Sequence, residues 1–364
     1  MTDLAEPLVG IIANPASGRD IRRLVAHGTV FDNNEKTAIV RRVLLGLEAV
    51  GITRVAYMPE HDFGIVPRAL HHPPDARLAG QHGRPPVGAD LSPPTADLSA
   101  SHARGLRLTA EPLSMPVLGT SADSTRAAQL LVELGAGCII TLGGDGTNRA
   151  VAKGCSTVPL VPISTGTNNV FPTFLEGTIA GLAAGLVATG RVDDRVLRRA
   201  PWLEVLVNGV PTESALVDVV VSSLPFVGAR AIWDISVVRE VVLSQVAPAT
   251  IGLSALGGAL LDHIAETRRL GGMHIVLGPD GPQVLATLAP GLVTWVGITA
   301  YRQLALDDVV RFQPGTGTVA LDGEREIELS AMSLVEVRLR ADGPFVVDVP
   351  AALEGAARAG HLHR

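Results

Sequence analysis

The residues of this chain best suited to chemistry are Gly143-Gly144-Asp145-Gly146-Thr147. The apolar run Cys138-Ile139-Ile140-Thr141-Leu142 enters them, and the helix-competent Asn148-Arg149-Ala150-Val151-Ala152 leaves. Three glycines and one carboxylate therefore sit at a strand-to-helix turn. Without a Cβ in the way, backbone N–H groups approach phosphate oxygens closely, and the helix N-terminus adds favourable dipole charge. A lone acid in such a nest belongs near a metal ion or a hydroxyl about to be phosphorylated. Asp145 is thus the candidate for Mg²⁺, held directly or through water, and Thr147 for the helix cap. The pattern points to nucleotide-dependent phosphoryl transfer. No Gly-Lys-Ser/Thr closes it, so it is not a Walker A loop, and it is not the dinucleotide Gly-x-Gly-x-x-Gly either. The competing reading is a tight turn that needs glycine for geometry alone.

Other segments carry polar groups at the ends of apolar runs. Asn14-Pro15-Ala16-Ser17-Gly18 follows a buried-looking strand, Leu8-Val9-Gly10-Ile11-Ile12-Ala13. A run at 158–163 leads into Ser164-Thr165-Gly166-Thr167-Asn168-Asn169. Asp322-Gly323-Glu324 sits between two β-branched runs, where Asp-Gly is also a good type I′ hairpin turn. Arg19, Arg22 and Arg23 follow the first turn and read as a solvated helix face before they read as phosphate ligands.

The elements that must position these groups come in two styles. Up to residue 195, strands alternate with helices expected at 36–50, 121–134 and 174–189, a parallel α/β layer. Ser121 and Asp123 are the cap candidates of the second of these. The stretch 71–116 interrupts with Pro73-Pro74, Pro85-Pro86 and Pro93-Pro94 and reads as an inserted surface loop. Its His71, His72, His82 and His102 lack a carboxylate cluster and read as solvated rather than metal-binding. From 196 to 345, short β-branched runs alternate with Asn208-Gly209, Asp280-Gly281 and Asp322-Gly323, the strongest short hairpin signals. One helix is expected near 254–268. A tail, 346–364, closes the chain with a short helix at 351–359 and is placed back on the first domain.

Composition excludes several classes. The 364 residues suit two domains. A net charge of −6 without a basic stripe, and only 3% aromatics, argue against nucleic acid as a partner. Two uncharged stretches, 241–261 and 281–301, are long enough to cross a bilayer, but their prolines, glycines and unbiased flanks favour buried strands and a buried helix. Cys138 and Cys155 have no partner at metal-ligand spacing and suit a reducing compartment. With no signal-peptide pattern, a cytoplasmic protein without membrane contact is expected.

Gly-Gly-Asp-Gly-Thr after a strand resembles the signature of the NAD kinase, diacylglycerol kinase and sphingosine kinase superfamily. Asn14-Pro15-Ala16-Ser17-Gly18 is similar to the Asn-Pro-x-Ser-Gly turn of its lipid kinases. Pro162-Ile163-Ser164-Thr165-Gly166-Thr167-Asn168-Asn169-Val170-Phe171 resembles their Gly-Thr-Gly-Asn-Asp-Phe loop, and Asp322-Gly323-Glu324 their Asp-Gly-Glu. The opening from Asn14 to Leu24 looks like that of the acetoin-catabolism protein X group. The resemblance implies a Rossmann-like α/β domain followed by a β-rich, sandwich-like domain. It implies a kinase using ATP and Mg²⁺ on a small soluble hydroxyl compound, NAD being one candidate, in a homo-oligomer. Asn14, Ser17, Gly143, Gly144, Gly146, Thr147, Asn148, Thr165, Gly166, Thr167 and Asn169 would then hold the nucleotide. Asp145 and Asp322 would be catalytic, with Glu324 in support. Two departures stand out. Arg149 replaces the usual Glu of the signature, and Val170 replaces an acid. They keep open a nucleotide-binding accessory or regulatory protein of a catabolic operon with weak or no turnover; a lipid kinase is the third reading.

Overall fold

The computed structural model describes residues 6–17, 32–61, 63–71, 105–226, 234–247, 249–260, 271–312 and 315–363. Gly18, Arg19, Arg22 and Arg23, the three Pro-Pro pairs, His72, His82 and His102, and the end of the helix expected at 254–268 lie outside them.

The six apolar residues of β1 (Leu8–Ala13) are all buried, as expected for a strand covered on both faces. It pairs in parallel with β2 (Arg54–Tyr57) on one side and β4 (Cys138–Gly143) on the other. Between β1 and β2 runs α1 (Asn33–Ala49). It starts earlier than its apolar spacing suggests, because Asp32 accepts the Glu35 N–H at 2.8 Å and caps it. A short α2 (Ile65–Leu70) follows. The end of the proline-rich stretch is not loop: β3 (Thr109–Pro112) adds to β2 as a parallel edge strand. Next come α3 (Ser121–Glu133), α4 (Asp145–Ala152), β5 (Leu160–Ser164), α5 (Gly177–Ala188) and β6 (Leu197–Arg199). The cap of α3 is Thr120 rather than Ser121, and Asp123 reaches back to accept the N–H groups of Leu118, Gly119 and Thr120. Glu176 caps α5 through Thr178 and Ile179 N–H, which delays that helix past Phe174.

The second region holds β7 (Trp202–Val207), β8 (Val210–Ala215), β9 (Asp218–Ser222), β10 (Val238–Leu243) and α6 (Ser254–Ala259). After these come β11 (Gly272–Leu277), β12 (Gln283–Ala289), β13 (Leu292–Leu304), β14 (Val309–Arg311), β15 (Gly317–Leu321), β16 (Glu324–Leu329) and β17 (Val335–Arg340). The chain then returns to the first sheet through β18 (Phe345–Val347), which pairs with β5 and β6, and α7 (Val349–Arg358).

Among the described residues the first sheet has the order β3-β2-β1-β4-β5-β18-β6. One face buries Val40 and Val43 of α1, Ala180 and Ala183 of α5, and Ala352 and Ala356 of α7. The other buries Ala127 and Leu131 of α3 and Val151 of α4. The C-terminal region is an antiparallel sandwich: a sheet β12-β13-β11-β10-β9-β15-β16 faces a smaller one, β14-β17-β7-β8. Alternation along β9 places Val219 and Val221 in the sandwich core and Val220 on the opposite face with α6 residues such as Leu256. The fold is thus an α/β domain plus a β-rich sandwich.

Asn208-Gly209 (φ 52° and 77°) and Asp322-Gly323 (φ 51° and 80°) both adopt the left-handed turn that joins β7 to β8 and β15 to β16. Asp280-Gly281 does not make a hairpin. β11 and β12 flank β13 instead of pairing with each other, and the turn of that hairpin is at Gly291 (φ 76°). Gly281 is glycine for closeness: a Cβ there would collide with the Ile298 backbone. The uncharged stretch 281–301 is therefore the β12–β13 hairpin, and no helix among the described residues is long and apolar enough to cross a membrane.

Candidate functional site

In an open parallel sheet, ligands bind beyond the C-terminal strand ends where the strand order reverses. Here that point lies between β1 and β4. The end of β1 supplies Asn14 to Ser17, the end of β4 supplies residues 143–147, and the end of β5 supplies 164–170. The three segments are tied together. Asn14 N–H donates to Leu142 O at 3.1 Å, and its Nδ2 donates to Thr147 Oγ1 at 2.9 Å. The Ser17 and Thr165 hydroxyls meet at 3.0 Å, and Thr165 N–H donates to Gly143 O at 3.3 Å.

Underneath sits Lys36, a fully buried lysine on the apolar stripe of α1. Its ammonium donates to Asn14 O (2.9 Å), Pro15 O (3.2 Å), Ser17 O (2.6 Å) and Asn33 Oδ1 (3.1 Å). A buried ammonium is tolerated only when its donors are satisfied in this way. It fixes the 14–17 turn from behind. The sequence signal was available: Lys36 stands where Ile39, Val40, Val43 and Leu47 predict an apolar side chain.

The glycine segment is tighter than a loop. β4 ends at Gly143, Gly144 is the helix cap (φ −97°, ψ −169°), and α4 begins at Asp145. None of Gly143, Gly144 and Gly146 has positive φ. Glycine at 144 lets Asn169 close on the turn, since a Cβ there would lie 2.8 Å from Asn169 Oδ1 and push that side chain away. At Gly146 the same atom would meet nothing nearer than Glu324 Oε1, at 3.8 Å, so the first turn of α4 is open there and borders the second domain. Thr147 is inside the helix and does not cap it; its hydroxyl accepts from Asn14. Asn148 is fully buried, receives the Thr141 hydroxyl at 2.6 Å and donates to Gly144 O at 2.9 Å. It holds strand to helix through both ends of its amide.

Two buried acids meet at the domain junction. Asp145 Oδ1 accepts the N–H groups of Phe171 (2.8 Å) and Val170 (3.1 Å). Burial, and then the field of Asp322, push its carboxyl up to about 8. Position 170 contributes its backbone N–H to Asp145, which any residue but proline supplies.

Asp322 stands in the β15–β16 turn with no exposed side-chain surface. It accepts from Val217 N–H at 2.8 Å, Leu216 N–H at 3.1 Å and Asp218 N–H at 3.3 Å. Burial raises its pKa and Arg149 opposes that rise. Arg149 Nε lies 3.4 Å from Asp322 Oδ2, and its Nη1 lies 3.9 Å from Glu213 Oε2. Lys153, one turn on, reaches the same Glu213 at 2.6 Å. The departure at Arg149 is therefore an interdomain ion pair. Arg149 and Lys153 share a helix face by their i, i+4 spacing, but their partners lie at least 60 residues away in sequence, where no local pattern reveals them.

Several groups are available to a phosphorylated ligand. The first-turn N–H groups of Asp145, Gly146 and Thr147 have no intrahelical acceptor. Thr167 Oγ1 and Asn168 Oδ1 are buried without a hydrogen-bond partner. Asn169 Nδ2 donates to Ser164 Oγ at 2.8 Å, and Ser164 Oγ donates to Gly166 O at 2.7 Å, which shapes this loop around them. No group of three or more His, Cys, Asp or Glu side chains forms a metal cage among the described residues. Mg²⁺ carried on phosphates needs only one or two carboxylates, and Asp145 and Glu324 border the open turn at Gly146. Cys138 and Cys155 are buried, with thiols pushed up to about 12 and 11, and are not nucleophiles.

A family model described as the acetoin catabolism protein X C-terminal domain matches residues 201–342, and one described as the ATP-NAD kinase N-terminal domain matches residues 95–192. Acetoin catabolism protein X of Cupriavidus necator is 37% identical, over 98% of this chain and 94% of that protein. Among solved structures, a diacylglycerol kinase from Bacillus anthracis str. Sterne aligns at 12% identity and a TM-score of 0.37, over 94% of this chain and 96% of that one. A putative diacylglycerol kinase from the same organism aligns at 11% identity and a TM-score of 0.40, over 95% and 98%.

Proposed function

The chain belongs to the acetoin catabolism protein X family, and from that premise we propose that it is a kinase transferring the γ-phosphoryl group of ATP to a hydroxyl of a small molecule. The observation that carries this reading is the convergence of three strand ends on the N-terminus of α4, beside a buried carboxylate held near neutrality. Phosphoryl transfer gains mainly from positioning and charge neutralisation, and two domains meeting at such a point supply both.

The N–H groups of 145–147 take phosphate oxygens, and the loop 165–169 lines the nucleotide through Thr165, Gly166, Thr167, Asn168 and Asn169. Asn14 and Ser17, fixed by Lys36, hold these two segments in register. Mg²⁺ fits Asp145 and Glu324, one from each domain, and would neutralise charge on the phosphates when bound. The acceptor oxygen forms its bond to the γ-phosphorus, the bond to the β–γ bridging oxygen breaks, and ADP leaves with that electron pair. Bound Mg-ATP would draw off the proton that Asp145 carries at rest, and the ionised carboxylate, holding the cation through water, then takes the acceptor's proton as the new bond to phosphorus forms. Asp322, catalytic by the resemblance, has no exposed side-chain surface. Its role is to hold Arg149 and so the two domains. NAD is a candidate acceptor, which the match to the ATP-NAD kinase N-terminal domain supports.

A second reading, a nucleotide-binding accessory protein of a catabolic operon, is favoured by the Arg149–Asp322 pair, which neutralises the acid of the second domain. ADP release by the purified chain, with Mg-ATP and a panel of NAD, acetoin, its diol and diacylglycerol, separates the readings. One soluble acceptor should support turnover that Asp145→Asn lowers at least 100-fold. If ATP binds and no acceptor is phosphorylated, the kinase reading fails and the accessory one stands. Turnover on diacylglycerol alone makes the chain a lipid kinase.

A further inference from the structure

The two sheets of the sandwich differ in width, and the wider one overhangs. The four-stranded sheet covers β9, β10, β15 and β16, where Val219, Val221, Val242, Val319 and Leu321 enter the shared core. Of β13 only Leu304 reaches that core, and no residue of β12 does. The register between β11 and β13 breaks opposite Thr299, so Val293 and Trp295 lie on the same face of β13 as Leu304. Leu285 pairs with Trp295 and shares that face. The opposite face of the hairpin is already occupied: Ala286, Val296 and Ile298 pack with Leu256 of α6.

The inner, core-facing side of the sandwich therefore continues past the end of its covering sheet and meets solvent. Trp295 is 63% exposed, Val293 55%, Leu285 49% and Leu292, at the turn, 42%. Exposed apolar residues this large and contiguous mark an interaction surface.

We propose that a second copy of this chain covers the overhang, so that two β12–β13 hairpins stack face to face about a two-fold axis. Charge chooses the occupant. Residues 281–301 contain no Asp, Glu, Lys or Arg, in a chain of net charge −6. A two-fold interface sets each patch against its own image, so any charge near the axis meets its like. This hairpin is a long surface where that repulsion is absent. A strongly charged partner finds nothing here to pair with. The edge of β12 is partly taken, since Gly252 N–H donates to Thr287 O at 3.0 Å, and the exposed apolar side chains stand on the face instead. Stacking on the face remains, and aligned sheets pack in this way within a single sandwich.

Sedimentation velocity of the full chain over a range of micromolar concentrations tests this. The wild type should sediment as a reversible dimer. Trp295→Glu and Leu285→Lys, each at an exposed position, should raise the dimer dissociation constant at least 100-fold while keeping the wild-type circular dichroism spectrum. Mixing the two variants should restore a dimer, because the mixed pair sets an acidic patch against a basic one instead of like against like. A wild type that stays monomeric overturns the proposal, as does a dimer that both variants leave intact. Co-flotation of wild-type protein with phosphatidylcholine vesicles that Trp295→Glu abolishes also overturns it, since the face would then be a lipid surface.

Discussion

Replacing Asp145 by Asn tests the electrostatics of the site independently of any substrate. In the unfolded chain this carboxyl titrates near 3.8, and in the folded chain near 8. Between those values the folded state keeps a proton that the unfolded state has released. The contribution of Asp145 to wild-type stability therefore falls as pH rises from about 4 to about 8, then levels off. At about 1.4 kcal/mol per pH unit, the full span corresponds to on the order of 5 kcal/mol. A neutral amide keeps an acceptor for the Phe171 and Val170 N–H groups and removes the titration. Asp145→Asn should come within about 1 kcal/mol of the wild type near pH 4 and exceed it increasingly toward pH 8.5. With about 2–4 °C per kcal/mol for a domain of this size, the gap in melting temperature should reach on the order of 10 °C. Thermal melts by circular dichroism at constant ionic strength, pH 4.5 to 9, measure it. The same carboxyl should lose its proton when a cation-bearing nucleotide arrives. Calorimetric titration with Mg-ATP at pH 7, in buffers of different ionisation enthalpy, should show release approaching one proton per site in the wild type and none in the variant. Parallel stability curves for the two proteins would refute the assignment of a proton to Asp145.

Arg149→Met leaves Asp322 buried with its charge unpaired and should lower stability by about 3–5 kcal/mol in urea unfolding at neutral pH. The loss should shrink in acid, as Asp322 takes up a proton. Lys36→Met removes the donor shared by the Asn14, Pro15 and Ser17 carbonyls and should destabilise by about 2–4 kcal/mol while weakening ATP binding in calorimetry. Gly144→Ala forces Asn169 away from a new methyl group and should lose about 1–3 kcal/mol, again with weaker nucleotide binding. Unchanged stability and affinity in Gly144→Ala would show that the glycine is not there for packing.

The sequence by itself determined the local pieces. The apolar run into 143–147, the polar ends of the runs at 13 and 163, and the Asp322-Gly323 turn are set by side-chain period and backbone freedom within a few residues. Strand and helix follow from those short-range terms. The same terms misplaced what depends on distant neighbours. Asp280-Gly281 looked like a hairpin, but that glycine answers the Ile298 backbone, which only the β12–β13 pairing brings near. Thr147 looked like a cap and instead receives Asn14 from 133 residues away.

Only the tertiary structure decided the electrostatics. Arg149 read as a broken motif until folding set it against Asp322 and Glu213, and Asp322 read as a reactive acid until burial closed it off. The charge state of Asp145 depends on how much water the two domains exclude and on which charges they bring close. Desolvation and Coulomb interaction act through space rather than along the chain. Lys36 shows both limits at once. Its oddness on an apolar stripe is visible in the sequence, but its purpose appears only when three carbonyls of a turn some 20 residues away close around it.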